Sequence, residues 1–344
     1  MNRVLKYIFP FTLMLYLVVS CQNSTGQRSA KSSTIVFYNV ENLYDTTDDP
    51  KVNDNEFLPD SKNEWTPTRY LRKLQDIAAL LSETGGRNLP FLIGLCEVEN
   101  RKIVEDLAMT GKLKRGRYKV VHQDSPDARG IDVALMYRPG EFSVSYNKAV
   151  PVLLPDRSGL STRDLLYVKG NTRHGDELHV FVNHWPSRVG GLQQTEANRI
   201  AAAMVLKSKT DSLFSINPNV KVIIMGDLND TPDNKSLREV LHAVLPEKKT
   251  HPSLVNLMYP AHNNGEGSYN YRGSWDMLDN IIVSSALLQQ EGLRVENAQG
   301  YVFQRDWMTY TNPQGQQAPN RTYVGPRYVG GISDHFPIYF RLVR

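Results

Sequence analysis

Cysteine is scarce in this chain, and Cys21 and Cys96 are the only two among its 344 residues. Two cysteines cannot build the multi-disulfide framework that holds many small exported domains together, so stability must come from a buried core. They also form no Cys/His cluster with the spacing of a zinc site. Any bound metal ion must therefore be held mainly by oxygen ligands.

Excess charge is lacking too, because 40 basic residues stand against 36 acidic ones and the formal net charge is only +4. A balance this close to neutral gives no argument for nucleic-acid binding by itself. Internal repeats are also missing, which excludes a repeat architecture. The length favours one layered domain of ordinary composition.

The first segment has the pattern of a secretory signal peptide. Two basic residues precede the apolar run Tyr7–Val19, which is shorter than the about 20 residues that a spanning helix needs. The run ends in Val18-Val19-Ser20-Cys21, which resembles a bacterial lipobox. We therefore expect residues 1–20 to be a lipoprotein signal peptide and Cys21 the lipidation site; the alternative is a signal peptide followed by an accidental cysteine.

Residues 21–33 are polar and show neither helical nor strand periodicity, so we expect a flexible tether. Residues 34–344 should form one domain. A lipid on Cys21 would insert into a bilayer, which predicts a protein exported and anchored to the bacterial cell envelope, at the outer membrane on its periplasmic or surface face. We expect a monomer.

Strands outnumber helices in the apolar pattern, and many follow one another directly, which favours packed sheets with helices outside. The predicted strands are Thr34–Val40, Phe91–Cys96, Tyr118–His122, Ile131–Tyr137, Leu165–Lys169, Leu178–Val182, Lys221–Met225, Asn280–Val283 and Phe336–Leu342. The predicted helices are Arg69–Ser82, with Leu71 on its apolar face, Lys102–Met109, and Thr195–Phe214, which carries Met204 among its apolar residues.

Several of the predicted strands run into a burst of Asp, Glu, Asn and His. The bursts lie in five segments: Phe37-Tyr38-Asn39-Val40-Glu41-Asn42, Gly94-Leu95-Cys96-Glu97-Val98-Glu99-Asn100, Val182-Asn183-His184, Gly226-Asp227-Leu228-Asn229-Asp230 and Gly331-Ile332-Ser333-Asp334-His335-Phe336-Pro337, the last of which opens its strand. A sixth segment, Met277-Leu278-Asp279-Asn280, leads into the predicted strand Asn280–Val283. Layered enzymes assemble sites from such residues at strand ends, although polar turns explain some of them.

In this order the six segments resemble the endonuclease/exonuclease/phosphatase family, from Thr34 to the C-terminus. The resemblance implies an α/β (α+β) fold like that of deoxyribonuclease I: a four-layered sandwich of two packed, mostly antiparallel β-sheets flanked by helices. It also implies a metal-dependent hydrolase of phosphate esters.

The resemblance assigns Asn39, Glu97 and Asp334 to the metal ion. Oxygen donors favour Mg²⁺, with Mn²⁺ as a second choice and Ca²⁺ left open. Glu41 lies two residues from Asn39 on the same face of the strand, so it is a further candidate for the metal ion or a phosphate oxygen. Glu99 is another candidate ligand, with a solvated or substrate-contacting role as an equal alternative.

The same resemblance implies that Asp279 orients His335 to help activate water, and that Asp227 shares the proton transfer. Asn229 would hold a phosphate oxygen or orient Asp227. Which member of the Asp227–His335 pair is the base stays open.

His184 is implied to assist the leaving group or the pentacoordinate phosphorus, and Asn183 to position phosphate. Abasic-site endonucleases lack a histidine at this place, so abasic-site repair is disfavoured. Arg129 precedes a predicted strand and is our candidate phosphate clamp. Other candidates are Arg163, Arg188 and Arg327 as clamps, and Trp185, Tyr271 and Trp275 as stacking residues, each with surface or core packing as the alternative.

Export and anchoring favour a phosphodiesterase, most of all a nuclease, whose substrate is a phosphate ester such as nucleic acid. A phosphomonoesterase acting on inositol-phosphate-like esters and a sphingomyelinase-like phospholipase share the same core residues and stay open. The non-enzymatic alternative is a binding-only lipoprotein on the same fold. The presence of all the implied acidic and histidine residues disfavours that alternative.

Overall fold

The computed structural model describes residues 32–155, 162–311 and 315–344, which lie within the compact unit Lys31–Arg344. The expected signal peptide, Cys21 and nearly all of the expected tether lie outside the described residues and stay predictions. Within the described ranges, no helix is both long and apolar enough to cross a membrane.

Twenty strands and four α-helices make up the regular structure of the described residues. The strands are β1 (Ser33–Leu43), β2 (Leu92–Val98), β3 (Lys119–His122), β4 (Asp132–Tyr137), β5 (Phe142–Val150), β6 (Leu165–Thr172), β7 (Glu177–His184), β8 (Val222–Asp227), β9 (Ala243–Val244), β10 (Leu254–Asn256), β11 (Tyr269–Tyr271), β12 (Ser274–Asp276), β13 (Asp279–Ser284), β14 (Arg294–Val295), β15 (Tyr301–Val302), β16 (Thr309–Thr311), β17 (Gln317–Pro319), β18 (Tyr323–Val324), β19 (Arg327–Tyr328) and β20 (Ile338–Val343). The helices are α1 (Pro67–Thr84), α2 (Arg101–Ala108), α3 (Glu196–Ile216) and α4 (Tyr259–Asn263).

Fourteen of these strands form two seven-stranded sheets. The first has the order β14-β20-β1-β2-β4-β3, with β15 also paired to β20, and the second has the order β5-β6-β7-β8-β13-β10-β9. The pairs β1–β2, β7–β8 and β9–β10 are parallel, and the other neighbours are antiparallel. Strand β5 was not expected from the sequence, because its central residues are mostly exposed and lack an apolar run.

Three separate clusters of buried side chains define four layers. One lies between the two sheets, one between the first sheet and helices α1 and α2, and one between the second sheet and α3. The predicted sandwich of two packed sheets flanked by helices is therefore confirmed. Gly94 on β2 permits the close approach of the sheets, because a Cβ there would lie 2.6 Å from the sulfur of Met225.

The buried faces of two helices differ from the sequence prediction. Leu71 of α1 is 55 % exposed and Met204 of α3 is 61 % exposed. Helix α1 begins after Thr66, whose hydroxyl caps it by accepting a hydrogen bond from Arg69 N. Helix α3 packs through small residues and the fully buried Arg199, so its contact stripe is less apolar than a periodicity search assumes.

Candidate active site

The polar strand ends lie together at one edge of the sandwich. The parallel pairs β1–β2 and β7–β8 deliver their carboxyl ends there, and β13 begins there because it runs antiparallel to β8. The register places His184 beside Asp227 and Asp227 beside Asp279. Since paired residues of neighbouring strands share a face, these three side chains point to the same space between the sheets.

Glu97 reaches this space through an irregularity in its strand. The pairing of β2 with β4 shifts register between Cys96 and Val98, and Glu97 has a positive φ of 60°. In regular alternation Glu97 would face away from the side occupied by Cys96, so the bulge re-aims its carboxylate. Its Oε2 accepts a hydrogen bond from Asn42 N at 2.9 Å.

The amide of Asn39 joins carboxylates from both sheets. Its Nδ2 donates to Glu97 Oε1 at 3.2 Å and to Asp227 Oδ2 at 3.0 Å. The amide is itself fixed, because its Oδ1 accepts from Glu41 N at 2.9 Å. Ser333 ties the last loop to the same point by donating from Oγ to Asn39 O at 2.7 Å. Asn39 therefore sets the spacing between Glu97 and Asp227.

His335 and Asp279 lie in direct contact, with His335 Nδ1 2.6 Å from Asp279 Oδ2. The same carboxylate oxygen accepts from Ser268 Oγ at 2.5 Å. On its other side, His335 Nε2 lies 3.8 Å from Asp227 Oδ2. Burial lowers the pKa of His335, but the charges of Asp279 and Asp227 outweigh burial and hold that pKa well above its usual value.

Asp227 is the carboxyl group at the centre of the site. Burial raises its pKa to about 7, the positive charge of His335 acts against this rise, and the negative charge of Asp279 adds to it. The backbone N–H of Asn229 donates to Asp227 Oδ1 at 2.9 Å. A carboxyl group with this pKa is divided between its two protonation states near neutral pH.

His184 has the opposite electrostatic character from His335. Its Nε2 lies 3.8 Å from both Glu97 Oε1 and Asp227 Oδ2, and its buried Nδ1 has no hydrogen-bond partner within the described residues. Burial lowers the pKa of His184 well below its usual value, and the positive charges of Arg163 and Arg129 lower it further. The ring is therefore neutral at pH 7.

The donor set fits a hard divalent cation. Asp227 and Asp279 offer carboxylate oxygens within 4.8 Å of each other and of a ring nitrogen of His335, and Glu97 is joined to Asp227 through Asn39. Buried Oδ1 of Asp279 has no hydrogen-bond partner among the described residues. Several carboxylates in one buried space are costly without positive charge, and oxygen donors suit Mg²⁺ or Mn²⁺.

Asp334 lies at the rim of the site. Arg321 Nη2 binds its Oδ2 at 2.7 Å. Burial raises the pKa of Glu41 to about 7, and the charge of Asp334 is the next cause of that rise. Asp334 therefore lies on the side of Glu41 and Arg321, and its assignment to the metal ion stays a prediction.

Asn183 is not brought together with the other predicted site residues. Its side chain is fully buried, its Nδ2 donates to Met225 O at 3.3 Å, and its Oδ1 accepts from Trp185 Nε1 at 3.2 Å. Adjacent strand residues point to opposite faces, so Asn183 faces away from the side of His184. Its amide contacts Met225 and Trp185 on that face, and its expected phosphate contact stays a prediction.

Asn229 lies within the site, whereas Arg129 lies at its rim. Asn229 has a positive φ of 50°, and besides its backbone bond to Asp227 its Nδ2 donates to Trp185 O at 3.0 Å. Of its two predicted roles, this geometry matches the orientation of Asp227. Arg129 is half-exposed, with Nε 3.7 Å from Asp127 Oδ1, and it stays the candidate phosphate clamp at the rim.

Most of the other clamp and stacking candidates have structural partners. Arg163 is buried, lies 3.0 Å from Asp127 Oδ2 and donates to Trp185 O at 2.7 Å. Arg188 donates from Nε to Asn229 O at 2.7 Å. Trp185 is fully buried, whereas Tyr271 is 54 % exposed. Because its side chain is exposed, Tyr271 stays a stacking candidate.

Sequence reasoning missed Ser268, Ser333, Tyr269 and Arg321. Ser268 and Ser333 fix Asp279, Asn39 and the backbone of His335, and serine carries no pattern that predicts such contacts. The ring of Tyr269 lies 4.9 Å from that of His335 between centroids. It belongs to the three-residue strand β11, which is too short for a periodicity signal.

The fold and the acidic, histidine-containing edge define a layered α+β protein with a site suited to a divalent cation. The family model for the Endonuclease/Exonuclease/phosphatase family matches residues 34–344. The chain therefore belongs to the endonuclease/exonuclease/phosphatase family.

Solved structures give the same fold at low sequence identity. An endonuclease/exonuclease/phosphatase family protein from Bacteroides thetaiotaomicron is 17 % identical with a TM-score of 0.56, covering 91 % of this chain and 95 % of that one. A mannosyl-6-phosphatase from the same organism is 17 % identical with a TM-score of 0.55, over 91 % and 100 %. A humanized TDP2 of D. rerio is 16 % identical with a TM-score of 0.55, over 91 % and 99 %. The curated proteins searched give no match.

Proposed function

We propose that the chain hydrolyses phosphate esters with the help of a divalent metal ion, Mg²⁺ or Mn²⁺. The observation that carries the proposal is the contact of the buried carboxylates Asp227 and Asp279 with His335. The partly buried Glu97 is joined to Asp227 through the amide of Asn39. Family membership supports the reaction class. One of the solved structures with a similar fold is a mannosyl-6-phosphatase. That activity belongs to the other protein, and it guides the choice of substrates to test for this chain.

In the proposed mechanism Asn39 and Glu97 hold the ion, with Asp334 as the further predicted ligand. A bound divalent ion would polarise the phosphoryl oxygen and offset the charge that develops there. Asp227, with a pKa of about 7, accepts a proton from the attacking water near neutral pH. Asn229 orients Asp227 through its backbone N–H.

The two histidines have separate roles in this mechanism. His335, held by Asp279, is the imidazolium that donates a hydrogen bond to a phosphoryl oxygen. His184 is neutral at pH 7, so it contributes as a neutral hydrogen-bond donor near the leaving oxygen. The sequence left open which member of the Asp227–His335 pair is the base, and the raised pKa of His335 favours Asp227 for that role.

Two substrate classes remain within this function. The sequence favours a phosphodiester, with nucleic acid as the first example. A phosphomonoester or another compact ester is favoured by the hollow beside Glu99, whose lining contains seven carboxylates and the single cation Lys51. A long polyanion lying across that hollow would be repelled.

The test is hydrolysis by EDTA-treated protein with and without Mg²⁺ or Mn²⁺, on plasmid DNA, RNA, sphingomyelin, inositol phosphates and aryl phosphates. We expect activity only with the metal ion, and a loss of at least about 100-fold in kcat for Glu97→Gln. Glu105→Gln is the control, since Glu105 is an exposed carboxylate on α2. Full activity under chelator would contradict the metal requirement, and no hydrolysis of any ester would contradict the proposed function.

We also propose that the protein is exported and anchored through a lipid on Cys21, and that it acts as a monomer. The support is the apolar segment followed by Val18-Val19-Ser20-Cys21.

A further inference from the structure

Three short hairpins enclose a cavity of about 440 Å³ next to the candidate active site. We call it the arginine–tyrosine pocket, after the residues that give it its character. These are Tyr269, Tyr271, Arg272, Tyr310, Arg321 and Arg327. Its volume is within the range of pockets for small molecules, roughly 300–1,000 Å³.

The pocket is continuous with the site. Tyr269 and Asp334 line it, and both adjoin His335: Asp334 precedes it in the chain, and Tyr269 pairs with it by a backbone bridge. The rings of Tyr269 and His335 are 4.9 Å apart between centroids. The pocket therefore lies within reach of a substrate whose phosphate is at His335.

The charge of the pocket is positive. Three arginines line it against one carboxylate, Asp334, and that carboxylate is paired with Arg321 at 2.7 Å. Arg272 and Arg327 lie at exposed positions. Guanidinium groups form strong, directional hydrogen bonds with phosphate and carboxylate groups, so the pocket suits a second anionic group.

The pocket also offers flat apolar faces. Tyr271 is 54 % exposed and Tyr310 49 % exposed, and the guanidinium of Arg272 lies 5.1 Å over the ring of Tyr271. Exposed aromatic rings stack against nucleobases and against other flat ring faces.

A second hollow, on the side of Glu99, is acidic. The hollow beside Glu99, about 570 Å³ in volume, is lined by Asp45, Asp48, Asp49, Glu99, Asp124, Asp127 and Asp132 with Lys51. The two cavities therefore differ in sign of charge, and the anionic part of a substrate is favoured on the arginine side only.

We propose that the arginine–tyrosine pocket binds the non-reacting part of the substrate, and that this part is a ring with a flat face that carries an anionic group besides the phosphate ester that is cleaved. The inference rests on the proposed function for the site at His335. A nucleoside and a sugar both supply such a ring, and the arms of the test separate these sources.

The test compares substrates with and without the second charge. The pairs are a nucleoside 3′,5′-bisphosphate against the 5′-monophosphate, and a hexose 1,6-bisphosphate against the 6-phosphate, with p-nitrophenyl phosphate as a substrate lacking a second anionic group. In the wild type the second phosphate should lower KM by about tenfold. Arg327→Ala should remove that gain, and Tyr271→Ala should raise KM for the ring source that is bound.

Arg115→Ala and Tyr146→Ala are the matched controls, because both residues are exposed and lie outside the pocket. The proposal is overturned if Arg327→Ala keeps the preference for bisphosphates, or if the control variants lose it equally. Calorimetry of the bisphosphates with Glu97→Gln measures binding without hydrolysis. If the bisphosphates bind and Arg327→Ala abolishes that binding, the proposed role of the pocket is supported even when no ester is cleaved. If esters are cleaved without any preference for the second phosphate, the proposed role of the pocket is refuted and the proposed hydrolysis is not.

Discussion

At the scale of single residues, the site is built where the backbone departs from regular strand geometry. Glu41, Asn42, Glu97 and Asn229 all have positive φ angles, between 48° and 60°. Such conformations cost of order 1 kcal/mol or more for residues other than glycine, and they persist where surrounding contacts fix them. Here the contacts that fix the backbone are hydrogen bonds among the site residues themselves. The same hydrogen bonds therefore hold the strained backbone and set the positions of the carboxylates.

The pKa of Asp227 gives a prediction about pH. Below its pKa of about 7 the carboxyl group is protonated and accepts no proton from water, so kcat/KM should fall by about tenfold per pH unit on the acid side. A bound divalent ion favours the ionised carboxylate, so a higher Mg²⁺ concentration should move this limb to lower pH. The measurement is kcat/KM from pH 5 to 9 at low and saturating Mg²⁺.

Variants at two histidines test whether Asp227 controls the acid limb of the pH profile. The charge of His335 lowers the pKa of Asp227, so His335→Gln should move the acid limb to higher pH as well as reduce kcat. His262→Gln is the control, because His262 lies on α4, where its Nε2 is 3.0 Å from Asp233 Oδ2. A limb that stays in place in His335→Gln would show that another group controls it.

The sequence located most residues of this edge but not their protonation states. Asp227, Asp279, His184 and His335 were named from strand ends, and the structure brings all four together. Burial lowers the pKa of both histidines. At His335 the charges of Asp279 and Asp227 outweigh burial and raise the pKa, whereas at His184 the positive charges of Arg163 and Arg129 add to the lowering. Those neighbours come from distant segments, which no single-sequence pattern relates.

At the scale of elements, α3 is attached to the site by a buried ion pair. Arg199 Nε lies 2.7 Å from Asp230 Oδ1, and both side chains are almost completely buried. Asp230 follows Asn229, and its Oδ2 accepts from Ser236 Oγ at 2.6 Å. The helix therefore supports the turn that carries Asp227 and Asn229. Periodicity missed this contact, because it searches helices for apolar residues and the centre of this interface is an arginine.

Breaking that ion pair should be costly. Arg199→Met leaves the buried carboxylate of Asp230 without its direct partner and with only the more distant Arg188, at 3.7 Å. This loss should lower the free energy of unfolding by about 3 kcal/mol. Urea denaturation followed by circular dichroism measures this change. Lys207→Met is the control on the same helix, since Lys207 pairs with the exposed Asp211 at 2.8 Å and should cost no more than about 1 kcal/mol. Equal costs for the two variants would contradict a stabilising role for the buried pair.

At the scale of the whole molecule, the sandwich was predictable because its central strands are continuous apolar runs. The hairpins β11–β12, β16–β17 and β18–β19 were not, since their strands have only two or three residues each. These hairpins form the arginine–tyrosine pocket, so the part that decides substrate preference is the part with the weakest sequence signal. Shared core residues therefore identify the reaction class better than the substrate.

The last prediction concerns the two cysteines, which belong to different parts of the molecule. Cys96 is fully buried between the sheets, whereas Cys21 precedes the first strand, which begins at Ser33. If Cys21 carries the lipid, Cys21→Ala should move the protein out of the membrane fraction, and Cys96→Ala should not. Since the family match begins at residue 34, the Cys21→Ala protein should keep the wild-type kcat on a soluble phosphate ester. Fractionation, mass spectrometry of the N-terminal peptide and the Mg²⁺-dependent assay measure the three outcomes. An unacylated Cys21 in the wild-type protein would refute the anchor, and a lower kcat in Cys21→Ala would contradict the independence of anchor and active site.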